Sequence, residues 1–383
     1  MKIIQVQNHP RYGGGAGIVF EMTKHTLLSQ GECVISFDKN SRNLGHGLRG
    51  KLQAFTGGLY SNSAYKNMAQ LIEKEKPDIV HVHDLYPLLV WSLPACKKAG
   101  IPVIMTCHNY RLTCPTLFHF HNGQICERCF CGKEYWCILK NCRGNLFESI
   151  AFASHNIVAR KCDLFTENIN IFINLSNFGK KRLKEANFPD NKLSVLPNTV
   201  NIPSSPIDPS LGSYAAYVGR FSKEKGVETL LGAAKITPGV PVFLAGDYTR
   251  TPGLVTRGSG NIKFCGHLSG FELTAFYRKS RFLIIPSIWF EACPMVVIEA
   301  MGHGLPILAS MIGALQELVE DGVTGLLFQP NSIEDLSEKM KLLWENPTLC
   351  REMGRAGREK AMREYNSDSY YTRLMSIYKE AVS

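Results

Sequence analysis

Pro286-Ser287-Ile288-Trp289-Phe290-Glu291-Ala292-Cys293-Pro294-Met295-Val296-Val297-Ile298-Glu299-Ala300-Met301 is the stretch on which the fold turns. Phe282–Ile285, just before it, reads as a buried strand. Met295–His303 reads as a helix. The loop between them therefore lies at the carboxyl end of a strand, where open α/β sheets bind ligands. Glu291 falls in that loop. Glu299 falls in the helix, among Val296, Val297, Ile298, Ala300 and Met301. A carboxylate in such company is costly to bury unless it is hydrogen-bonded. The two hydroxyls of a ribose would satisfy it. The helix N-terminus beside Glu291 offers free N–H groups to a phosphate. A capped helix with an internal salt bridge fits the same pattern equally well.

The rest of the chain repeats this strand-then-helix rhythm. Lys2–Gln7 and Cys33–Phe37 predict strands around a helix at Ile18–Ser29. Lys39–Gly58 reads as an exposed, Gly-rich loop. Ala64–Glu75 and Pro87–Ala99 predict helices, and Ile79–His83 and Val103–Cys107 strands. Asn109–Gly144 interrupts with cysteines, aromatics and turn residues before a helix at Leu146–Lys161. In the second half, strands are expected at Tyr214–Val218, Val242–Ala245, Ile262–Cys265, Pro306–Ala309 and Gly325–Leu327. Helices are expected at Gly226–Ala234, Ile333–Trp344, Thr348–Tyr365 and Ser369–Ala381. Such alternation implies parallel sheets with helices on both faces.

At 383 residues the chain is long for one core, and domains usually run to roughly 100–200 residues. Pro197–Ser213, rich in Pro and Ser, reads as a linker. The expected layout is an α/β first domain over 1–200 with a Cys-rich insert at 109–144, a linker at 201–212, a second domain over 213–365, and a C-terminal helix at 366–383 packing back toward the first domain. A cleft between two such domains is the natural place for a ligand.

A second motif, Tyr217-Val218-Gly219-Arg220-Phe221-Ser222-Lys223-Glu224-Lys225-Gly226-Val227, sits where the first strand of the second half turns into its helix. Arg220 and Lys225 suit a diphosphate: Arg grips through its planar fork, Lys as a point charge. In the first half, Gly13–Gly17 would let a ligand approach the backbone. A dinucleotide fingerprint would need a third glycine where Ile18 stands, although Asp38 is placed as an acidic ribose reader would be. His81, His83 and His108 fall at or just beyond strand ends, and structural histidines are the commoner kind.

Together these residues resemble the family 4 glycosyltransferases of the GT-B fold, over nearly the whole chain. Gly219-Arg220 with Lys225-Gly226, and Glu291 with Glu299 after Pro286-Ser287, match that family's donor-side motifs. So do Gly304-x-Pro306-Ile307-x-Ala309-Ser310, Gly313, Glu317, Asp321-Gly322-x-Thr324-Gly325 and Pro197-Asn198. Gly13–Gly17, His81-Val82-His83 and Thr106-Cys107-His108-Asn109 match in the first half. The resemblance implies two doubly wound Rossmann-like domains facing across a cleft, and a retaining transferase using a UDP- or GDP-sugar. It implies that Glu291, His108, Arg220 and Lys225 serve catalysis. Glu291 and His108 would meet the donor sugar, Arg220 and Lys225 the diphosphate, and Glu299 the ribose. Gly14, Gly15 and Gly219 would complete the nucleotide-sugar site. Many members have Glu-Gly-Phe-Gly where this chain has Glu291-Ala292-Cys293-Pro294. Pro294 has no N–H, so the amides of Met295 and Val296 would serve. Thr199 stands where the family commonly has glycine. The chain lacks an Asp-x-Asp motif, which fits a donor site that needs no metal cofactor.

Cys114, Cys126, Cys129, Cys131, Cys137 and Cys142 crowd one loop. A Cys-x2-Cys pair with two further cysteines suggests a structural zinc on Cys114, Cys126, Cys129 and Cys142. Free thiols, disulfides or an iron–sulfur cluster fit the same loop. The total of 13 cysteines is odd, which argues against a complete disulfide framework.

All the excess positive charge lies in residues 1–195, with 24 Lys+Arg against 14 Asp+Glu. Lys180-Lys181-Arg182-Leu183-Lys184 is the densest run, and Leu146–Val158 is strongly apolar. Such a half suggests an anionic surface as partner, and the family's first domain receives the acceptor, often a lipid-linked sugar. The expected partners are a glycan or polyprenyl-diphosphate-linked acceptor and an anionic membrane surface, with no nucleic acid. No stretch approaches the ~18 consecutive apolar residues that span a bilayer. The N-terminus reads as a first strand and not as a signal peptide, so the expected place is cytoplasmic, peripheral at the inner face of the membrane. The expected setting is cell-surface polysaccharide biosynthesis. A nucleotide-sugar epimerase, a phosphorylase, a nicotinamide oxidoreductase and a non-catalytic binding module are the competing readings. The phosphorylase lacks a cofactor-lysine motif, and the oxidoreductase lacks its third glycine.

Overall fold

The computed structural model describes residues 1–9, 15–41, 47–249, 251–255 and 260–383. Two compact units emerge. The first comprises Met1–His119, Cys126–Asn198 and Tyr370–Ser383, and the second Phe120–Ile125 and Thr199–Ser369.

The first unit begins with β1 (Lys2–His9), α1 (Gly15–Ser29) and β2 (Cys33–Asn40). Helices α2 (Leu48–Leu59) and α3 (Asn62–Glu75) lead to β3 (Ile79–Asp84), α4 (Leu93–Lys98) and β4 (Val103–Cys107). The insert holds a small hairpin, β5 (Phe120–His121) and β6 (Gln124–Ile125), and the short α5 (Tyr135–Leu139). Then come α6 (Leu146–Lys161), β7 (Ile171–Asn174), α7 (Asn177–Glu185) and β8 (Leu193–Val195). The sheet order is β2-β1-β3-β4-β7-β8, all parallel. Ile79–His83 is buried throughout, as a strand covered on both faces must be.

The second unit runs β9 (Tyr214–Val218), α8 (Val227–Ile236), β10 (Val242–Ala245), α9 (Pro252–Val255), β11 (Ile262–Gly266) and α10 (Gly270–Arg278). It continues with β12 (Ser280–Ile285), α11 (Met295–His303), β13 (Ile307–Ser310), α12 (Leu315–Leu318) and β14 (Gly325–Phe328). Helices α13 (Ile333–Glu345) and α14 (Pro347–Glu364) complete it. Its sheet order is β11-β10-β9-β12-β13-β14, again all parallel, but its first strand is third from the edge where the first sheet's is second. Both are doubly wound Rossmann-like sheets.

Two expectations fail. The helix expected over Pro87–Ala99 is α-helical only at Leu93–Lys98, behind a 3₁₀ turn at Val90–Ser92. The supposed loop at 39–58 contains α2. Its glycines depress helix propensity, yet tertiary packing holds it. Phe55 meets Phe147 at 5.7 Å, and the His155 ring lies where a Cβ on Gly58 would sit, 2.3 Å from it. The last helix, α15 (Ser367–Val382), lays Tyr370, Leu374, Ile377 and Tyr378 against Ile3, Leu27, Ile79, Ile104, Ile171 and Ile173 of the first unit.

Candidate active site

In the second sheet the strand order reverses between β9 and β12. The loops after those two strands flank this switch point, the expected ligand crevice of a doubly wound sheet. Gly226 joins them. It is left-handed at φ 66°, and a Cβ there would lie 1.7 Å from the Pro286 carbonyl oxygen. The loops also share a backbone bond, Ile288 N–H to Glu224 O at 2.9 Å.

This closeness brings Lys225 to Glu291. Glu291 Oε1 accepts from Lys225 Nζ at 2.7 Å, from Ser287 Oγ at 2.6 Å and from Trp289 Nε1 at 2.9 Å. The Lys225 ammonium also lies 5.2 Å from the Trp289 ring centroid. Burial opposes the charge on Glu291, but Lys225 and the three hydrogen bonds outweigh it, holding the carboxyl below its ordinary range. Glu291 is thus a fixed, ionised acceptor. Glu299 differs. Burial raises its pKa, and Tyr277 O–H donates to Oε2 at 3.3 Å.

Met295 and Val296 open α11, so their N–H groups have no partner within the helix. Val297 N–H turns back to the Pro294 carbonyl. Arg220 is more exposed. It reaches Glu224 at 3.3 Å, and Glu224 is anchored by Ser222 Oγ at 2.6 Å. Gly219 N–H bonds Ala245 O, tying the β9 loop to β10.

In the first unit, His83 at the end of β3 and His108 just beyond β4 meet, Nδ1 to Nε2, at 3.0 Å. Burial brings His108 down to about 4, so it is neutral at physiological pH. His81 is not an edge residue. It is buried within β3, with Nδ1 2.8 Å from Tyr378 Oη and Nε2 2.8 Å from Thr106 Oγ1. Sequence gave no sign of that pairing, because Tyr378 lies almost 300 positions away.

Known proteins carry the same pattern. The Glycosyltransferase Family 4 model matches residues 36–203, and the Glycosyl transferases group 1 model matches 209–360. An uncharacterized glycosyltransferase of Methanocaldococcus jannaschii is 28% identical over 335 residues, covering 86% of this chain and 83% of its own. The chain belongs to the family 4 glycosyltransferases. A 41.2 kDa protein in the cps region of Klebsiella pneumoniae is 28% identical over 83% of each chain. In fold, this glycosyltransferase superposes on one from Rickettsia africae with TM-score 0.70 at 19% identity, covering 100% of this chain and 98% of that one. It superposes on Anabaena HepE, solved in complex with UDP, with TM-score 0.69 at 18% identity, covering 99% and 100%.

Of the remaining expected site residues of the glycosyltransferase, Gly14 lies outside the described residues. Gly15 is the exposed first residue of α1. The zinc expectation finds no support. Among the described residues, no three His, Cys, Asp or Glu side chains are placed to hold a metal ion. Cys129 packs with Cys137 and Ala153, and Cys114 Sγ lies 3.3 Å from Thr116 Oγ1. Cys142 is drawn to Cys137. A hydrogen bond between the two thiols lowers the Cys142 pKa and raises that of Cys137. Cys114, Cys126 and Cys142 nonetheless lie near enough to Cys129 for their charges to help raise its pKa, and all 13 cysteines are free thiols.

The basic run is largely neutralised. Lys181 and Arg182 meet Glu185, Arg182 also meets Glu127, and Lys184 meets Asp190. Thr199, in the family's glycine position, donates to Tyr365 O at 2.9 Å and pins the start of the second unit. No helix among the described residues is long and apolar enough to cross a membrane.

Proposed function

We propose that this glycosyltransferase moves a sugar from a UDP- or GDP-sugar to a glycan or polyprenyl-diphosphate-linked acceptor, retaining anomeric configuration. The observation that carries the reading is Glu291 Oε1, held by Lys225, Ser287 and Trp289 beside the N-terminus of α11. A charged acceptor so fixed suits a sugar hydroxyl, and the α11 amides of Met295 and Val296 suit the phosphate. When the bond from the sugar carbon to the diphosphate oxygen breaks, Lys225 and Arg220 neutralise the departing charge. The acceptor hydroxyl attacks the same face and passes its proton to the leaving phosphate oxygen. Gly14, Gly15 and Gly219 line the donor, Glu299 takes the ribose, and His108 bonds a sugar hydroxyl. The chemistry needs no metal cofactor. HepE's UDP complex favours UDP as the donor base, and the relative from a cps region favours cell-surface polysaccharide biosynthesis.

The acceptor side belongs with a peripheral, cytoplasmic-face position on an anionic membrane. Leu146, Phe147 and Ile150, at the start of α6, are 56%, 41% and 37% exposed. Amphipathic helices hold membranes through such residues. Sedimentation with anionic liposomes at low salt, lost in a Leu146→Ser/Phe147→Ser variant, is the expected result; no sedimentation of the parent protein sinks the membrane reading.

The main test is a thermal-shift screen of nucleotide-sugars, followed by NMR of the product anomer. Glu291→Gln should still bind the donor but lose roughly 100-fold or more in transfer. Full transfer by that variant overturns the reading, and release of free sugar without an acceptor points to epimerase chemistry instead.

A further inference from the structure

The first unit holds an arrangement of imidazoles whose protons can be placed. His83 is enclosed by rings. Phe20 meets it edge-on at 5.5 Å, and His81 packs against it at 4.2 Å with planes 32° apart. His81 is itself fixed at both nitrogens, by Tyr378 of the C-terminal helix and by Thr106 of β4. His83 therefore has little freedom to turn, and its Nδ1 stays aimed at His108 Nε2, 3.0 Å away. Burial, reinforced by the neighbouring imidazoles, keeps His83 neutral, and burial does the same for His108.

Two neutral arrangements fit that contact. In one, His83 donates from Nδ1–H, leaving a bare lone pair on its Nε2. In the other, His108 donates from Nε2–H, and His83 must carry its own proton on Nε2. His83 Nε2 is buried and has no hydrogen-bond partner among the described residues. A buried N–H without an acceptor is rarer than a buried acceptor without a donor. The first arrangement is the better one.

We infer that His83 is a positioning residue that holds His108 in the Nδ1–H tautomer, so that His108 presents a hydrogen-bond donor to an oxygen of the donor sugar. The second half of that statement rests on the reading above that His108 touches the sugar. His108 then acts as a fixed donor and takes no proton from the reaction. The C-terminal helix contributes at one remove, because Tyr378 fixes His81 and His81 braces the His83 ring.

The test is a ¹⁵N–¹H correlation spectrum of the full chain labelled with ¹⁵N-histidine, with His108 assigned by its loss in His108→Gln. The parent protein should show His108 protonated at Nδ1 and bare at Nε2; the reverse pattern overturns the inference without recourse to any variant. His83→Phe should release His108 into a mixture of tautomers. His83→Asn, whose amide can donate to Nε2, should restore the single form. In donor kinetics, His83→Phe should lower kcat/KM roughly tenfold, mostly through KM, with recovery in His83→Asn. Loss of the tautomer with unchanged kinetics would overturn the sugar contact while leaving the control of His108 by His83 standing.

Discussion

Trp289 acts on Glu291 through one N–H. The indole bond to Oε1 is 2.9 Å, and the same ring faces the Lys225 ammonium. Trp289→Phe keeps a ring for the cation and deletes the donor. A hydrogen bond to a charged group is worth about 1.5–3 kcal/mol. Transfer by Trp289→Phe should therefore fall roughly 10- to 100-fold in kcat/KM. The Glu291 carboxyl, losing one of the bonds that hold it down, should titrate higher, moving the acid limb of the pH–rate profile upward. An unchanged profile would mean that the indole bond does not govern Glu291. At this scale the sequence marks the glutamates, because spacing along a strand, loop and helix is a one-dimensional signal. It does not mark their partners. Tyr277 reaches Glu299 from α10, and Tyr378 reaches His81 from the far end of the chain.

Gly226 decides whether two loops can lie together. Alanine there adds left-handed strain of roughly 1–2 kcal/mol and places a methyl group 1.7 Å from the Pro286 oxygen. Gly226→Ala should cost at least about 2 kcal/mol of stability and abolish donor-induced thermal shift, because the Lys225–Glu291 pair separates. A variant that melts with the parent and still responds to donor would show that the loops have another way to meet. Elements with strong apolar patterns are readable almost to the residue. Leu146–Lys161, Val242–Ala245 and Met295–His303 are found where the periodicity places them. Helix α2 was not readable, since Gly50, Gly57 and Gly58 speak against a helix locally and its reasons for forming lie on α6.

Across the molecule, burial has concentrated neutral histidines in the first unit. It holds His81 at about 3 and His108, His119 and His155 at about 4, while His83 lies well below its ordinary value. The unfolded chain binds protons at these sites from about pH 6.5 downward. Depressed folded values mean that their stabilisation is complete above that pH and is lost as pH falls toward 4. Asp84 works the other way. Burial raises it to about 6, so its contribution is lost as pH rises through that value. Several histidines against one carboxyl leave the balance with the histidines. Calorimetry from pH 7.5 to 4.5 should show an acid-labile transition belonging to the first unit, with Tm falling steadily below pH 6.5; a flat or rising Tm would contradict this. The C-terminal helix sets a different constraint. Its Tyr370, Leu374, Ile377 and Tyr378 complete a core otherwise built from the first two hundred residues. During synthesis at roughly 5–20 residues per second, the ribosome makes the whole second unit before that helix emerges. For roughly 10–35 s the nascent first sheet stands with one apolar face bare, a natural target for the chaperones that wait at the exit tunnel.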